Sequence, residues 1–67
     1  MTDKERLVQL LQAFGFTETK DLPVVGHVYM QDETQIVLGS GSAMDGSFCD
    51  FEFDAGGRFI SHAVLAF

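Results

Sequence analysis

The C-terminal third of the chain has the pattern of a β-hairpin, which constrains the fold more than any other feature. From Ser47 to Asp54, apolar residues largely alternate with polar or acidic ones, as on a strand with one buried face. The pair Gly56-Gly57 then interrupts the alternation, and the chain returns as an apolar-rich segment over residues 58–66. We therefore predict two antiparallel strands joined by a tight turn.

The turn of this hairpin also predicts how the two strands are aligned. A three-residue loop, Ala55-Gly56-Gly57, in which a glycine supplies positive φ, pairs opposite charges and aromatic rings at the same time. The expected pairs are Asp54 with Arg58, Phe53 with Phe59, Asp50 with His62, and Cys49 with Ala63. A two-residue loop would set Glu52 against Phe59 instead, so the three-residue loop is preferred. A slip of one residue would exchange the two faces of the strand.

The N-terminal segment has the pattern of an amphipathic helix. Thr2 and Glu5 have the spacing of a capping box, in which each side chain accepts the backbone N–H of the other residue. Gly15 is a natural C-terminal cap. The apolar stripe at helical spacing consists of Leu7, Leu10, Leu11 and Phe14. A helix over about residues 3–14 is predicted, with this stripe in the core.

The middle of the chain predicts a second hairpin. The segment 17–22 is polar and indicates a connection, and Pro23 cannot donate to a strand ladder. Strands are expected at about residues 24–30, 34–39, 47–54 and 58–66. The predicted fold is a single α+β domain over residues 1–67, with one N-terminal helix packed on a four-stranded antiparallel β-meander in two layers.

One helix cannot cover both faces of such a sheet. The residues expected to face the helix are Cys49, Phe51, Phe53, Phe59, Ala63 and Leu65. Those expected on the opposite, outer face are Phe48, Asp50, Glu52, Ile60, His62 and Val64, joined by His27, Tyr29 and Val37 from the first hairpin. An uncovered face that mixes apolar, aromatic and acidic groups is a candidate contact surface. The alternative is that scattered exposed apolar residues are normal on a protein surface.

The charge distribution limits the kinds of molecule that the protein is expected to bind. The net charge is -6, and because residues 1–20 sum to zero, the whole excess lies in residues 21–67. Direct binding to nucleic acid or to an anionic membrane is disfavoured, since both require clustered Lys and Arg. A basic protein surface or a cation is a more natural partner. Acidity that only maintains solubility is the alternative interpretation.

No catalytic or cofactor-binding motif stands out. The loop 39–46 lacks the lysine of a phosphate-binding loop, and the acidic residues do not follow calcium-loop spacing. Cys49 lies among phenylalanines, which indicates a buried, inert thiol. His27 and His62 form a metal or proton-relay pair only if their strands converge, which the sequence does not show. We predict no enzymatic activity, no cofactor and no metal site.

The leading functional hypothesis is a small acidic protein-binding module. It acts by occluding a basic surface on a larger partner, in the manner of inhibitors encoded by phages or mobile elements, an analogy by type alone. The expected contact residues are Tyr29, Asp32, Glu33, Asp45, Phe48, Asp50, Glu52, Ile60 and His62. Two alternatives stay open: a self-associating structural protein, such as a homodimer, and a binder of a small ligand or metal through the loop 39–46 with His27 and His62. With a single cysteine, no leader pattern and no long apolar run, a soluble cytoplasmic protein is expected.

Overall fold

A computed structural model describes residues 1–21, 26–41 and 47–66 of the protein, apart from the side chains of Leu65 and Ala66. The described chain contains the helix α1 and the five strands β1 to β5. Their bounds are α1 Asp3–Ala13, β1 Thr17–Glu18, β2 Gly26–Gln31, β3 Gln35–Gly41, β4 Ser47–Phe53 and β5 Phe59–Ala66. The predicted α+β class is confirmed. The first residues of the expected strand 24–30 and most of the loop 39–46 lie outside the described residues.

Helix α1 begins and ends where its capping residues predict. The Glu5 N–H donates to the Thr2 hydroxyl at 3.1 Å, and the Thr2 N–H donates to the Glu5 carboxylate at 3.1 Å. At the other end, Phe14 is the C-cap and Gly15 has a φ of 91°, which favours glycine. The Phe16 N–H then donates to the Leu11 carbonyl at 2.9 Å, and this bond turns the chain toward the sheet.

The sheet is mixed rather than wholly antiparallel. Its strand order follows the chain from β1 to β5, and β2 to β5 form the predicted antiparallel meander. The short strand β1, which was expected to be part of a connection, pairs in parallel with β2 at Thr17–Val28 and Glu18–Tyr29. Two residues are too few to show a strand alternation, so only the neighbouring β2 reveals them as a strand.

The face assignment of the first hairpin is wrong for two residues. Tyr29 was expected on the outer face, but its side chain is 0% exposed and lies in the core beneath the helix. His27 lies on the same face, since its ring centroid is 5.2 Å from that of Phe16, which packs against the core. Apolar residues occupy both faces of β2, with Val28 and Met30 alternating with Tyr29, and this pattern cannot decide which face is covered.

The loop of the second hairpin agrees with its prediction. The Asp54 N–H donates to the Arg58 carbonyl at 2.9 Å, and Phe53 pairs with Phe59. The Asp54 carboxylate accepts the N–H groups of Gly56 and Arg58, both at 2.9 Å, and fixes the three-residue loop. A sequence with Asp before a glycine pair favours this type of turn.

Beyond the loop, a β-bulge shifts the register by one residue. Glu52 pairs with Ser61, so Ile60 is the extra residue of β5 and has no partner on β4. The predicted pairs of Asp50 with His62 and of Cys49 with Ala63 are therefore wrong. Asp50 pairs with Ala63, Phe51 with His62, and Cys49 with Val64. A contact from outside the hairpin accompanies the bulge, since the Phe59 N–H donates to the Asp3 carboxylate of α1 at 3.0 Å.

The bulge exchanges the faces of the last strand. His62 and Val64, expected on the outer face, lie on the helix side with Phe51 and Cys49. Ala63, expected on the helix side, lies opposite Asp50 on the outer face. The side chain of Leu65 is outside the description. The buried core consists of Leu11, Tyr29, Ile36 and Phe53, with Leu7, Val8, Phe16, Leu38 and Phe51 packed against it. The prediction that the whole apolar stripe of the helix lies in the core is wrong for Leu10 and Phe14, which are 52% and 74% exposed.

Candidate functional site

One end of the outer face gathers four carboxylates, which we call the acidic corner: Asp32, Glu33, Asp50 and Glu52. Asp32 and Glu33 lie in the turn between β2 and β3, and the other two lie on β4. The turn lies beside β4 because the Phe53 N–H donates to the Thr34 carbonyl at 2.8 Å.

Gln35 links the parts of the acidic corner. Its backbone N–H donates to the Asp32 carboxylate at 2.8 Å, and its side-chain amide donates to Asp50 Oδ2 at 3.3 Å. Its Cα lies opposite that of Glu52 in the ladder. Gln35 was not among the expected contact residues. Its position three residues after an aspartate in a turn is a recognisable capping signal, because Asp side chains accept N–H groups two and three residues further on.

The strands of the sheet carry no positively charged side chain that would balance the carboxylates of the corner. Strands β2 to β5 contain no Lys or Arg. The second oxygen of Asp50, Oδ1, is buried without a hydrogen-bond partner among the described residues. No positive charge on these strands compensates the carboxylates, so the corner is an acidic surface.

Apolar side chains adjoin the acidic corner along the outer face. We call Val28, Met30, Val37 and Phe48 the apolar strip; all four are half-buried. Val37 pairs with Asp50 on one side and with Met30 on the other, so the strip is continuous with the corner. Val28 and Met30 were not among the residues expected on the outer face, because the assignment of Tyr29 to that face placed its two apolar neighbours on the helix side.

The structure brings together only part of the predicted contact set. Phe48 and the four carboxylates of the corner share the outer face or its end, as expected from strand alternation. Tyr29 is buried, and its hydroxyl accepts the Gln12 side-chain amide at 3.0 Å. His62 is on the helix side, where its ring stacks on Phe51 with centroids 6.3 Å apart. Ile60 is exposed at the bulge, and Asp45 lies outside the described residues.

The two histidines do not converge. His27 is on β2 and His62 on β5, with two strands between them, which corresponds to about 14 Å across the sheet. The His27 ring instead forms a hydrogen bond with the Ser40 hydroxyl at 2.9 Å. Within residues 1–21, 26–41 and 47–66, no three or more His, Cys, Asp or Glu side chains are placed so that they could hold a metal ion together.

The Cys49 thiol has the environment of a structural cysteine. It is half-buried on the helix side, opposite Leu38 and Val64. Burial, and to a smaller extent the negative charge of Asp50, raises the pKa of the thiol. The thiol is therefore protonated at neutral pH and is a poor nucleophile.

No helix in the described part of the chain has the length and apolarity required to cross a membrane. Comparison of the chain with protein-family models, with curated proteins and with solved structures finds no match.

Proposed function

We propose that the protein is a non-catalytic protein-binding module whose outer sheet face covers a basic surface on a larger protein. The observation that carries this proposal is the continuity of the acidic corner with the apolar strip on one face. Occlusion of the partner's surface would make the protein an inhibitor of whatever that surface binds.

The two parts of the face have different roles in this proposal. Exposed carboxylates such as Glu33 and Glu52 attract a basic partner over a distance and accelerate the encounter. Half-buried Met30 and Val37 offer apolar area that the partner removes from water after the encounter. This combination of a polar rim beside an apolar centre is typical of non-obligate interfaces.

The proposal is tested with the double variant Glu33→Gln/Glu52→Gln. Wild-type and variant proteins are immobilised in parallel, and proteins retained from host lysate at low salt are identified and purified. Association and dissociation rates are then measured for each retained protein at several salt concentrations. We expect the variant to lower the association rate by roughly 3- to 10-fold and to weaken its salt dependence, with little change in dissociation.

The matched control is Glu18→Gln/Asp21→Asn, which removes two exposed carboxylates outside the acidic corner. It should leave the association rate near the wild-type value. The proposal is wrong if the two double variants have the same effect, or if association with every retained protein is insensitive to salt.

The apolar part of the face is tested separately with Val37→Ser, against Ile60→Ser as a control away from the strip. Val37→Ser should increase the dissociation rate of the complex, since it removes apolar contact area. An unchanged dissociation rate would show that the partner does not contact the strip.

A further inference from the structure

The strand β5 forms one edge of the sheet and has the properties of a pairing surface. It is the longest strand of the described chain, with eight residues, and it pairs only with β4 there. Residues 59–64 are all exposed. Three of its apolar side chains are large and accessible: Phe59 at 44%, Ile60 at 55% and Val64 at 68%. Natural sheets usually protect such an edge with charges or proline.

The ladder identifies which backbone groups of β5 point outward. The Phe53 N–H donates to the carbonyl of Thr34, which immediately precedes β3. Alternate β4 residues, counted from Phe53, therefore direct their backbone groups to β3, and those between them direct theirs to β5. Asp50 is among the latter, so its partner Ala63 has its N–H and C=O turned toward β4. The neighbouring residues, His62 and Val64, therefore present their N–H and C=O groups at the open edge.

The absence of charged residues from β5 favours a second copy of the chain as the partner at this edge. Residues 59–66 contain no Asp, Glu, Lys or Arg, although the chain as a whole carries a net charge of -6. Two copies can meet at this strand without bringing carboxylates of the strands together, whereas a basic partner attracted by the acidic corner has no electrostatic preference for it. An outward row of alternating N–H and C=O groups is also complementary to itself when two copies run antiparallel about a two-fold axis.

An apolar groove beside the strand favours the same arrangement. It lies between α1 and the second hairpin and is lined by Leu7, Leu10, Phe51, Phe53 and Phe59, with Asp3 and Arg6 at its border. Leu10 is exposed on the helix side of the groove. Antiparallel pairing about an axis normal to the sheet places the grooves of both copies on the same side of the extended sheet. The side chain of Val64, on the same side as the grooves, is then next to that of the second copy.

We propose that two copies of the chain pair through β5 to form a dimer with one continuous ten-stranded sheet. The regular segment after the bulge, residues 61–66, makes the contact, since the extra residue Ile60 interrupts the ladder before it. Both helices lie on one face of this sheet and both acidic corners on the other. If the proposed function is correct, the dimer presents two binding faces in the same direction and binds a repeated basic surface with avidity.

Oligomeric state is measured by sedimentation of the purified chain without any partner, so the result does not depend on the proposed function. The wild type should show a concentration-dependent monomer–dimer equilibrium. Val64→Pro removes an N–H that points outward and no bond to β4, a change that edge strands tolerate. Because symmetry removes the bond twice, the dissociation constant of the dimer should rise by roughly 10- to 100-fold. Val64→Thr, which keeps the N–H and the β-branched shape, should remain dimeric.

Val64→Lys provides a second variant if the proline disturbs the strand. The side chain is 68% exposed in the monomer, so the lysine costs the fold little, but it puts two like charges at the dimer contact. Circular dichroism confirms that each variant is folded. The proposal is overturned if the wild type is monomeric at every soluble concentration, or if folded Val64→Pro and Val64→Lys dimerise as well as the wild type.

Hydrogen exchange then locates the contact within the strand. In the wild type, the amides of His62 and Val64 should be protected at high concentration and should lose protection on dilution. The Ala63 amide, which is directed to β4, should be protected at both concentrations. Equal behaviour of the Val64 amide in monomer and dimer would place the contact elsewhere and contradict the proposal.

Discussion

At the scale of single residues, Gly57 joins the hairpin loop to the start of the helix. Its φ is 82°, and its carbonyl accepts the Lys4 N–H at 3.0 Å. A Cβ on this residue would lie 2.7 Å from Thr2 Cβ and 2.8 Å from the Thr2 hydroxyl. The glycine is therefore required twice, by the conformation of the loop and by the close approach of Thr2.

Replacing Gly57 by alanine should destabilise the protein more than the same change at Gly15. Gly15 has a similar φ of 91°, but a Cβ there meets nothing within 4 Å. Gly15→Ala should cost about 1–2 kcal/mol of unfolding free energy, the penalty of the left-handed conformation alone. Gly57→Ala should cost that amount plus the displacement of Thr2. Urea denaturation of both variants measures the difference, and equal losses would mean that Thr2 moves aside freely.

At the scale of elements, the capping box makes the stability of α1 depend on pH. The hydrogen bonds from the Thr2 N–H and then from the Thr2 hydroxyl hold the pKa of Glu5 below its ordinary value of 4.5. A lowered pKa in the folded state means that the ionised carboxylate stabilises the fold. This contribution is complete above pH 4.5 and is lost as the pH falls through the lower value of the folded state.

Glu5→Gln should reduce the change of the unfolding free energy with pH in this range. Glutamine can still accept the Thr2 N–H, so the helix keeps its cap while losing the titrating group. Unfolding free energies of wild type and variant, measured from neutral pH downward, should converge once the pH has fallen below the lowered pKa of Glu5 in the folded state. Glu33→Gln is the control, since it removes an exposed carboxylate that makes no hydrogen bond within the described residues. If wild type and Glu5→Gln lose unfolding free energy equally as the pH falls, the capping box does not cause the pH dependence.

At the scale of the whole molecule, the acidic corner concentrates like charges on a domain with a small core. The net charge of -6 belongs to the sheet region, and strands β2 to β5 contain no Lys or Arg. Mutual repulsion of these carboxylates opposes folding and is screened by salt. The concentration of negative charge therefore lowers the stability of the free protein.

Sodium chloride should accordingly raise the unfolding free energy at neutral pH. Glu33→Gln/Glu52→Gln should be more stable than the wild type at low salt and should gain less from added salt. Thermal unfolding at several salt concentrations measures both effects at a fixed protein concentration, because dimerisation would also shift the midpoint. If Glu18→Gln/Asp21→Asn produces the same gain, the effect belongs to net charge and not to the corner.

The parts of the fold that the sequence predicted correctly depend on neighbours in the chain. The capping box joins Thr2 to Glu5, and the hairpin loop joins Asp54 to Arg58. Alternation along β4 likewise placed Phe51 and Phe53 toward the helix and Asp50 and Glu52 away from it. For the same reason the turn position of Asp32 and Glu33 was predicted from their local sequence.

The errors concern contacts between distant parts of the chain. Tyr29 lies in the core under a helix whose Gln12 donates to its hydroxyl, and the alternation within β2 fits either face. His62 changed sides because of one extra residue, Ile60, for which the hairpin sequence gives no signal. Tyr29 and His62, which were expected on the outer face, therefore lie on the helix side. Met30 and Val28, which were not expected there, lie on the outer face.

The helix, the hairpin loop and the acidic character of the sheet could be derived from the sequence, because each follows from residues a few positions apart or from composition. The parallel strand β1, the covered face of β2 and the face of β5 after the bulge depend on contacts between distant parts of the chain. At the bulge, the Phe59 N–H bonds to Asp3, 56 residues away. When both faces of a strand carry apolar residues, its sequence does not show which face is buried. Packing against α1 decides which face is covered.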